Sequence, residues 1–425
     1  MRKRVVITGI GLVSCLGMGA GVNWKRLIRG DSGVSRIETF DTSGFPTKIA
    51  GEIKNRVIEE IRIPDSVVDQ LGERRLEFGI AAAQEAIDDA EVKIGDEDSF
   101  RYGTSLAAGL GIIRLEEICN SIENGGFVQD RYASQISKIH AESIVRSPSD
   151  RIASIIARTY GLRGPSYTIT SACAAGLQSI GQAYRMIQRG DCDLMVVGGA
   201  DSMVNPVGMM GFTLLGALST RNDEPQKACR PFDRKRDGLV VGEGAGIAVL
   251  EELEHARTRN AKIYCEIIGH GTSIDAHQLT APCADGYGAA SAIVRALRDS
   301  GVHPAEVDYI NAHGSSTILN DRIESKAIKR LFGPRAFQIP VSSNKSMVGH
   351  LIAASGAYEF VATALTIKND MIPPTINYEE PDEGCDLDYV PNTARQKQIQ
   401  YAVTNSFGFG GQNASVVVAK YPGRH

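Results

Sequence analysis

The sequence lacks the short motifs that identify several large enzyme classes. It contains no GxGxxG, GxxxxGK[ST], HExxH or GxSxG stretch, and no tyrosine and lysine stand at YxxxK spacing. These absences argue against a dinucleotide site, a phosphate-binding loop, a zinc hydrolase and an α/β-hydrolase nucleophile. None of the eight cysteines forms a CxxC pair, so a structural zinc site is not expected either.

The sequence also has little that would bind it to nucleic acid or carry it to a membrane. The net charge of −4 gives no broad positive field for nucleic acid. The apolar run after MRKR is short and is broken by Gly9 and Gly11, so we do not interpret it as a signal peptide. Two uncharged stretches, 166–184 and 202–220, have the length of a membrane span, but glycines and hydroxyl side chains interrupt both. Because no disulfide framework is expected, the composition predicts a cytoplasmic protein.

Strands and helices alternate along the chain. Apolar runs such as DLMVVG and DYINA predict buried strands, and segments with helical spacing lie between them. This alternation indicates an α/β protein with a mainly parallel sheet. The chain also repeats itself weakly: TSAC and NAHG each end a strand, and GEGAGIAVLEE and GFGGQNASVVVAK each place a glycine-rich turn before an apolar strand. We therefore expect two similar halves of about 200 residues.

Cys173 stands where a short strand meets a helix, in the stretch ITSACAAGLQSIGQAYRMIQRG. At a helix N-terminus a thiol lies beside unpaired backbone N–H groups and the positive end of the helix dipole. Both favour the thiolate, so we expect a lowered pKa for Cys173 and a nucleophilic sulfur. The same N–H groups would stabilise an oxyanion, and the small residues 174–176 would leave room for a substrate. A buried structural role is the ordinary alternative for a cysteine.

Two of the eight histidines also stand at the ends of elements. His313 ends the apolar run DYINA, and His350 follows KSMVG before a helix rich in small residues. Together with Cys173 they predict one pocket at the strand ends of an α/β fold. Downstream of His313, Asp321 and Glu324 share a helix face, where they either hold a buried cation or form a solvated acidic surface.

At several places the sequence resembles the β-ketoacyl-[acyl-carrier-protein] synthases of the elongating type, which are condensing enzymes of the thiolase superfamily. The matching segments are TSACAAG, GGAD, ALSTRNDEPQKACRPFDRKRDGLVVGEGAG, NAHGSST, KSMVGH, PPTINYEEPDEGCDLDYVPN and NSFGFGGQN. With the N-terminal ITGIGLVS they cover essentially the whole chain. The resemblance implies a five-layered αβαβα thiolase-like fold made of two similar halves. One half, 1–255, would carry the nucleophilic cysteine, and the other, 256–425, would carry both histidines.

The resemblance also implies a decarboxylative condensation. Cys173 would take an acyl group from an acyl carrier protein, and the backbone N–H groups of Cys173 and Phe407 would form its oxyanion hole. His313 and His350 would hydrogen-bond the thioester carbonyl of malonyl carrier protein and stabilise the enolate that remains after loss of CO₂. Attack of this carbanion on the acyl-enzyme gives a 3-oxoacyl thioester. No metal ion or organic cofactor is implied, because release of CO₂ drives the condensation.

The same resemblance implies roles for the residues around this set. Lys345 would orient and polarise the site and would be held by Glu324. Ser315 and Thr317 would contact the pantetheine arm, and Phe407 would act as a gate in the glycine-rich loop. The family further implies a homodimer, or a heterodimer with a closely related partner. Because carrier proteins are acidic, we expect a local basic patch near the pocket mouth to steer them.

The chain departs from the family pattern in two motifs near the expected site. It reads HGSSTILND where family members commonly read HGTSTPxGD, and LAAGLG where they read GSGxGG. The second difference places Gly109 at a position that lines the acyl chamber in the family. We therefore expect the chamber to accept long or conjugated acyl groups.

Three functions fit these motifs. The first is a synthase of fatty-acid elongation, and the second is a ketosynthase of a type II polyketide or polyene pathway. The third is a chain-length-factor-like subunit without activity, which only shapes a heterodimer. Such subunits usually lack the nucleophilic cysteine, so Cys173 and the two histidines argue for an enzyme.

Overall fold

The computed structural model describes residues 2–54, 73–95, 98–109 and 149–422, together with the backbone of 122–123 and 126–127. The first half of the chain alternates five strands with helices. Its strands are β1 (Val5–Ser14), β2 (Tyr102–Ala108), β3 (Ser166–Ile169), β4 (Leu194–Ser202) and β5 (Glu243–Glu252). Its helices are α1 (Ala20–Arg29), α2 (Arg74–Ala90), α3 (Arg151–Tyr160), α4 (Ala175–Arg189), α5 (Pro206–Leu214) and α6 (Leu253–Thr258).

The second half follows the same plan. Its strands are β6 (Glu266–Ile274), β7 (Tyr309–Asn311), β8 (Val341–Ser342), β9 (Tyr401–Gly408) and β10 (Gln412–Ala419). Its helices are α7 (Tyr287–Ser300), α8 (Ile318–Phe332), α9 (Lys345–Val348) and α10 (Ser355–Asn369). Two-residue strands lie outside this plan at Gly17–Met18, Ser35–Arg36, Ile49–Ala50, Ile122–Glu123, Gly126–Phe127, Met371–Ile372 and Arg395–Gln396. Short 3₁₀ turns lie at Ser99–Arg101, Pro225–Lys227, Pro304–Glu306, Gly333–Gln338, Ile352–Ala354 and Phe409–Gly411.

The strand order is the same in both halves. It is β3-β2-β4-β5-β1 in the first half and β8-β7-β9-β10-β6 in the second. The directions also agree, because the first three strands of each order are parallel and the next two join antiparallel. The halves meet where β1 pairs with β6 through Val5–Ile267 and Val6–Glu266. This agreement confirms the predicted repeat of two similar halves, whereas the exact division at residue 255 stays a prediction.

The sheet is mixed, so the expectation of a mainly parallel sheet was wrong. The reason is visible between β9 and β10, which the short GFGG turn joins directly. A connection this short permits only an antiparallel pair, because a parallel pair needs a crossover of a dozen or more residues. The alternation of strand and helix patterns predicted the crossovers correctly but could not show these reversals.

Helices α4 and α10 form the central layer between the strands of the two halves. α4 packs on β2 and β4 and also contacts β10, while α10 packs on both β5 and β9. α2 and α3 cover the outer face of the first half, and α7, with α8 packed on it, covers the outer face of the second. This arrangement gives five layers. Residues 355–367 of α10 are buried all round, as expected for a helix at the centre of a large core.

Glycines let the two central helices approach each other closely. A Cβ atom at Gly176 would lie 2.5 Å from the backbone nitrogen of Ala357, and one at Gly356 would lie 2.9 Å from Cγ of Leu177. The small residues that follow Cys173 therefore fit α4 against α10. This packing replaces the expectation that they leave space for a substrate.

Replacing Gly176 with alanine tests this crossing. We expect Gly176→Ala to lower the free energy of unfolding by about 1–3 kcal/mol, because the new methyl group must push two packed backbones apart. Gly21→Ala is the matched control, since Gly21 also lies in a helix but has open space around its Cβ position. The readout is the urea midpoint of unfolding. Equal midpoints for the wild type and Gly176→Ala would contradict the packing argument.

Candidate active site

The repeat brings two equivalent loops together. Cys173 lies in the loop between β3 and α4, and His350 lies in the corresponding connection between β8 and α10, just after the short helix α9. His313 follows β7, which neighbours both β8 and β9. Because α4 and α10 are in contact, the loops that lead into them converge at the carboxyl ends of the parallel strands. The predicted cysteine and histidines thus reach one place from both halves of the chain.

Both loops make the same strained turn. Ala172 and Ile352 each have a φ of 49°, and each stands three residues before its central helix begins. This left-handed conformation is uncommon for residues other than glycine and costs about 1–3 kcal/mol. Backbone strain of this kind is concentrated at functional sites, where the surrounding structure holds it.

Six of the nine predicted site residues line one cavity of about 350 Å³. The imidazole rings of His313 and His350 stand edge to face with centroids 5.2 Å apart, and the ring of Phe407 lies 6.0 Å from that of His313. The six residues are Cys173, His313, His350, Ser315, Thr317 and Phe407. The single pocket predicted from the sequence is therefore present.

Cys173 is only 3% exposed, and this burial dominates the electrostatics of its thiol. Burial raises the pKa of the Cys173 thiol to about 11, while the charge of Lys345 and a hydrogen bond from the backbone N–H of Phe409 act in the opposite direction. The expectation of a lowered pKa was thus wrong for the resting site. The helix N-terminus is present, but removal of water outweighs it.

The two histidines are neutral in the resting site. Burial, together with the positive charge of Lys345, lowers the pKa of both His313 and His350 well below 6.5. Nδ1 of His350 accepts a hydrogen bond from the backbone N–H of Ile352 at 2.9 Å and lies 3.0 Å from Oγ of Ser355. The single proton of neutral His350 is therefore on Nε2, which is free to donate a hydrogen bond.

Lys345 is buried, and its partner is Glu359. The Lys345 Nζ lies 2.5 Å from Oε1 of Glu359, which projects from α10. The expectation that Glu324 holds Lys345 was wrong. Glu324 instead accepts the backbone N–H groups of His313 and Gly314, each at 2.8 Å, and burial raises its pKa to about 7. Glu324 therefore fixes the main chain that carries His313.

Asp321, which shares a helix face with Glu324, does hold a buried cation. Its Oδ2 lies 3.5 Å from Nε of Arg236, and it also accepts the backbone N–H of Phe232 at 2.8 Å. Arg236 in turn donates to the carbonyl oxygens of Thr317 and Ile318 at 3.1 and 3.0 Å. This ion pair fixes the N-terminus of α8 at the cavity wall, where Ser315 Oγ lies 2.9 Å from Thr317 Oγ1.

The backbone N–H that reaches the Cys173 sulfur comes from Phe409 and not from Phe407. Phe407 belongs to β9, where it pairs with Asn413 of β10, and its ring packs in the core of the second half. Phe409 lies two residues further, in the turn between the strands, and its ring packs on a separate cluster around Met209 and Phe212. The second oxyanion-hole N–H that we expected from Phe407 thus belongs to Phe409, while the gate stays a prediction.

Gly109 lies outside the cavity lining. A Cβ atom there would stand 2.5 Å from Oδ2 of Asp201, a buried carboxyl group whose pKa burial raises to about 6. The Gly109 carbonyl oxygen accepts hydrogen bonds from Arg75 and Ser149. A side chain at position 109 would meet the carboxyl group of Asp201, and the prediction that Gly109 lines an acyl chamber stays a prediction. The rest of the LAAGLG motif falls partly outside the described residues.

No lysine or arginine is among the described residues that line the cavity, and the basic patch expected near its mouth stays a prediction. Among the described residues that line the cavity, the charged side chains are those of Asp237 and Asp275. Apolar residues form much of the remaining wall: Leu215, Leu239, Leu279, Pro282, Ile318 and Leu319. The described lining of the cavity is therefore apolar and weakly acidic.

Comparison with known families agrees with this geometry. Residues 2–256 match the N-terminal domain of the β-ketoacyl synthases, and residues 264–379 match their C-terminal domain. The chain belongs to the β-ketoacyl synthase family. The family predicted from the sequence motifs is thus confirmed.

Individual β-ketoacyl synthases match the chain over nearly its full length. The 3-oxoacyl-[acyl-carrier-protein] synthase 2 of Coxiella burnetii is 43% identical over 424 residues, which are 99% of each chain. The structure of AntDE:AntF, a type II PKS acyl-carrier protein in complex with its ketosynthase, contains a chain that is 36% identical with a TM-score of 0.89, covering 99% and 100% of the two chains. The ishigamide ketosynthase/chain length factor is 35% identical with a TM-score of 0.87 over the same fractions. These likenesses confirm the thiolase-like fold.

Sequence reasoning missed several residues that hold this synthase site together. Glu359 is the one carboxylate in a helix of mainly apolar and small residues, and this isolation was the sequence signal for a buried charge. Ser406 donates its hydroxyl to the Cys173 carbonyl oxygen at 2.7 Å, and Ser355 fixes His350. Serines are too common for their positions alone to have indicated these contacts.

Among the described helices, none combines the length and apolar character that crossing a membrane requires.

The reaction of Cys173 with iodoacetamide should depend steeply on pH. With a thiol pKa of about 11, the thiolate is a minor species at neutral pH, and its fraction rises about tenfold per pH unit below the pKa. Peptide-level mass spectrometry should therefore show alkylation of Cys173 that still increases at pH 10. Glutathione in the same tubes is the control, because its rate levels off near an ordinary thiol pKa. A plateau for Cys173 near pH 8 would contradict the effect of burial.

A double-mutant cycle should identify the partner of Lys345. Removing either Lys345 or Glu359 leaves a buried group without its counter-charge, which lowers the free energy of unfolding by about 3–5 kcal/mol. Lys345→Met and Glu359→Gln should be coupled by about 2 kcal/mol, and Lys345→Met and Glu324→Gln by clearly less. Chemical denaturation measures all the variants. Stronger coupling to Glu324 than to Glu359 would restore the partner that the sequence suggested.

Proposed function

We propose that this chain is a 3-oxoacyl-[acyl-carrier-protein] synthase, which joins an acyl group held on Cys173 to the two-carbon unit of malonyl carrier protein. The observation that carries the proposal is the cavity shared by Cys173, His313 and His350. One nucleophile and two neutral hydrogen-bond donors that face the same space suit the two halves of this condensation. The name of the Coxiella burnetii relative supports the same reaction.

In the first step Cys173 accepts the acyl group. Its sulfur attacks the carbonyl carbon of the acyl thioester, and the developing oxyanion accepts hydrogen bonds from the backbone N–H groups of Cys173 and Phe409. The thioester C–S bond then breaks, the departing carrier thiolate takes the proton that Cys173 has lost, and the acyl-enzyme remains. Lys345 assists, because its charge favours the thiolate against the effect of burial.

In the second step the histidines stabilise an enolate. The thioester oxygen of malonyl carrier protein accepts a hydrogen bond from Nε2–H of His350 and another from His313. The bond to the carboxylate carbon breaks, CO₂ leaves, and the electron pair forms the enolate. Neutral imidazoles suit this role, since their pKa values lie well below 6.5 and they stay uncharged donors at physiological pH.

In the third step the two carbon chains are joined. The enolate carbon attacks the carbonyl carbon of the acyl-enzyme, and the oxyanion again lies at the N–H groups of Cys173 and Phe409. When the tetrahedral intermediate collapses, the C–S bond to Cys173 breaks and the thiolate takes up a proton from solvent water. The 3-oxoacyl product remains on the carrier protein, longer by two carbons.

We propose two partners for the chain. An acyl carrier protein delivers the substrates, and a second ketosynthase-like chain forms a dimer with it. β3 is the outermost strand of its half, and Ser166 and Tyr167 are exposed along it. We propose that this edge pairs with a second copy or with a chain-length-factor-like relative, as the name of the ishigamide neighbour suggests. The proposed location is the cytoplasm. Native mass spectrometry distinguishes a homodimer from a monomer that awaits a different partner.

A type II polyketide or polyene pathway is the second candidate, and the likeness to AntDE:AntF favours it. The two functions share the catalytic residues and differ in the fate of the product. The chain is incubated with malonyl carrier protein and the reducing enzymes, and mass spectrometry of the products distinguishes the two functions. Saturated chains identify fatty-acid elongation, whereas polyketone or polyene chains identify the second pathway.

Single replacements of Cys173 and of His350 should distinguish acyl transfer from decarboxylation. Cys173→Ala should abolish both acyl-enzyme formation and condensation, while some decarboxylation of malonyl carrier protein remains. His350→Ala should still form the acyl-enzyme but should decarboxylate on the order of 10²–10³-fold more slowly, since an oxyanion donor is lost. Labelled acyl transfer and release of labelled CO₂ measure the two activities.

Two controls keep this test specific. His303→Ala removes a histidine that lies outside the cavity lining and should leave both activities unchanged. Ser355→Ala should have a smaller effect than His350→Ala, because the Ile352 N–H still holds Nδ1 of His350. Condensation by Cys173→Ala, or unchanged decarboxylation by His350→Ala, would contradict the proposed function.

A further inference from the structure

Asp201 is a buried carboxyl group that takes no part in the three steps described above. It lies near the end of β4, in the first half of the chain, and is 1% exposed. Its Oδ2 atom accepts the backbone N–H of Ala353 at 3.0 Å, and its Oδ1 atom accepts the N–H of Ser202 at 2.9 Å. A buried carboxyl group costs stability unless such hydrogen bonds offset the loss of water. The contact with Ala353 is the one that reaches the second half of the chain.

This contact lies directly beside His350. Ala353 belongs to the 3₁₀ turn Ile352–Ala354, which begins two residues after that histidine. The N–H of Ile352 donates to Nδ1 of His350, and the next N–H in the chain, that of Ala353, donates to Asp201. Ile352 has a φ of 49°, a strained conformation that the surrounding contacts must hold. Asp201 therefore binds the same turn that places the proton of His350 on Nε2.

The repeat gives this contact a counterpart on the other side of the site. β4 and β9 each stand third in the strand order of their half, so they are equivalent strands. Asp201 of β4 reaches the turn after His350, and Ser406 of β9 donates its hydroxyl to the Cys173 carbonyl oxygen at 2.7 Å. Each of the two equivalent strands thus anchors the reactive loop of the opposite half.

Asp201 is also close enough to the cavity for its charge to act there. Besides the larger effect of burial, the carboxylate raises the pKa of the Cys173 thiol. Burial raises the pKa of Asp201 itself to about 6, while the Ala353 N–H and the positive charge of Arg75 act in the opposite direction. Asp201 is therefore mainly ionised at neutral pH. A carboxylate accepts a hydrogen bond more strongly than a neutral oxygen does, which suits an anchor for a strained turn.

We propose that Asp201 is a positioning residue of the synthase site, which holds the turn after His350 so that Nε2 of this histidine keeps both its proton and its direction. This inference rests on the proposed function, because the effect on catalysis appears in the decarboxylation of malonyl carrier protein. Asp201 is not among the residues that line the cavity, so it acts on the substrate only through His350.

Asp201→Asn tests this role, because it keeps the size of the side chain but leaves one acceptor oxygen for two N–H groups. We expect kcat for decarboxylation to fall about tenfold, since a hydrogen bond to a charged acceptor is lost. KM should stay unchanged, and acyl-enzyme formation should not slow. In a His350→Ala background, Asp201→Asn should have no further effect on decarboxylation. Asp299→Asn is the matched control and should leave kcat unchanged, since Asp299 also accepts a backbone N–H, that of His270, but lies outside the cavity lining.

Hydrogen exchange tests the same contact without a substrate. Mass spectrometry should show that the peptide containing residues 350–354 exchanges its amide hydrogens faster in Asp201→Asn than in the wild type or in Asp299→Asn. If Asp201→Asn does not fold, exchange in the wild type decides, because rapid exchange at Ala353 would exclude the anchor and protection there supports it.

The outcomes separate this inference from the proposed function. Equal exchange of that peptide in the wild type and Asp201→Asn, or equal kcat for decarboxylation, would overturn the positioning role. A further tenfold loss in the His350→Ala background, or acyl transfer that slows in parallel with decarboxylation, would show that Asp201 does not act through His350. If the wild type decarboxylates no malonyl carrier protein, the proposed function fails, and hydrogen exchange still decides whether Asp201 holds the turn.

Discussion

Removal of water from the cavity sets the protonation state of every group that we expect to react. Cys173, His313 and His350 are each at most 3% exposed, and Lys345 places one positive charge among them. Burial raises the pKa of the thiol and lowers the pKa of both imidazoles, so all three groups are uncharged at neutral pH. The neutral imidazoles therefore stay hydrogen-bond donors. The thiol reacts only when its negative charge passes to the carbonyl oxygen of a substrate, where the two backbone N–H groups stabilise it.

The duplicated fold provides the means of burying these groups together. Each half supplies a loop with a left-handed residue three positions before its central helix, at Ala172 and Ile352. The crossing of the central helices at Gly176 and Gly356 brings the two loops into contact. The ion pair of Lys345 and Glu359 joins the short helix α9 to the central helix α10, so the site and the core depend on the same packing.

The sequence predicted what depends on local pattern and on recognisable motifs. The α/β alternation, the repeat, and the cysteine and histidines at element ends follow from short segments. The partner of Lys345 could not be predicted, because spacing along one helix does not show which distant carboxylate faces it. Phe407 and Phe409 differ by two residues, and Phe409 is the one inside the GFGG turn after β9, where its N–H reaches Cys173. The pKa of Cys173 was misjudged because burial depends on the whole fold, whereas the helix N-terminus is visible locally.

Neutron diffraction of the resting enzyme at neutral pH would test the central claim most directly, because it shows the hydrogen positions at the site. The account predicts one deuterium on each imidazole, on Nε2 and not on Nδ1 of His350, and a deuterated sulfur at Cys173. Two deuterium atoms on either ring, or a bare thiolate at Cys173, would contradict it. A bare thiolate would mean that Lys345 and the helix N-terminus outweigh the removal of water at Cys173. A doubly protonated ring would mean that burial and the charge of Lys345 do not keep the histidines neutral.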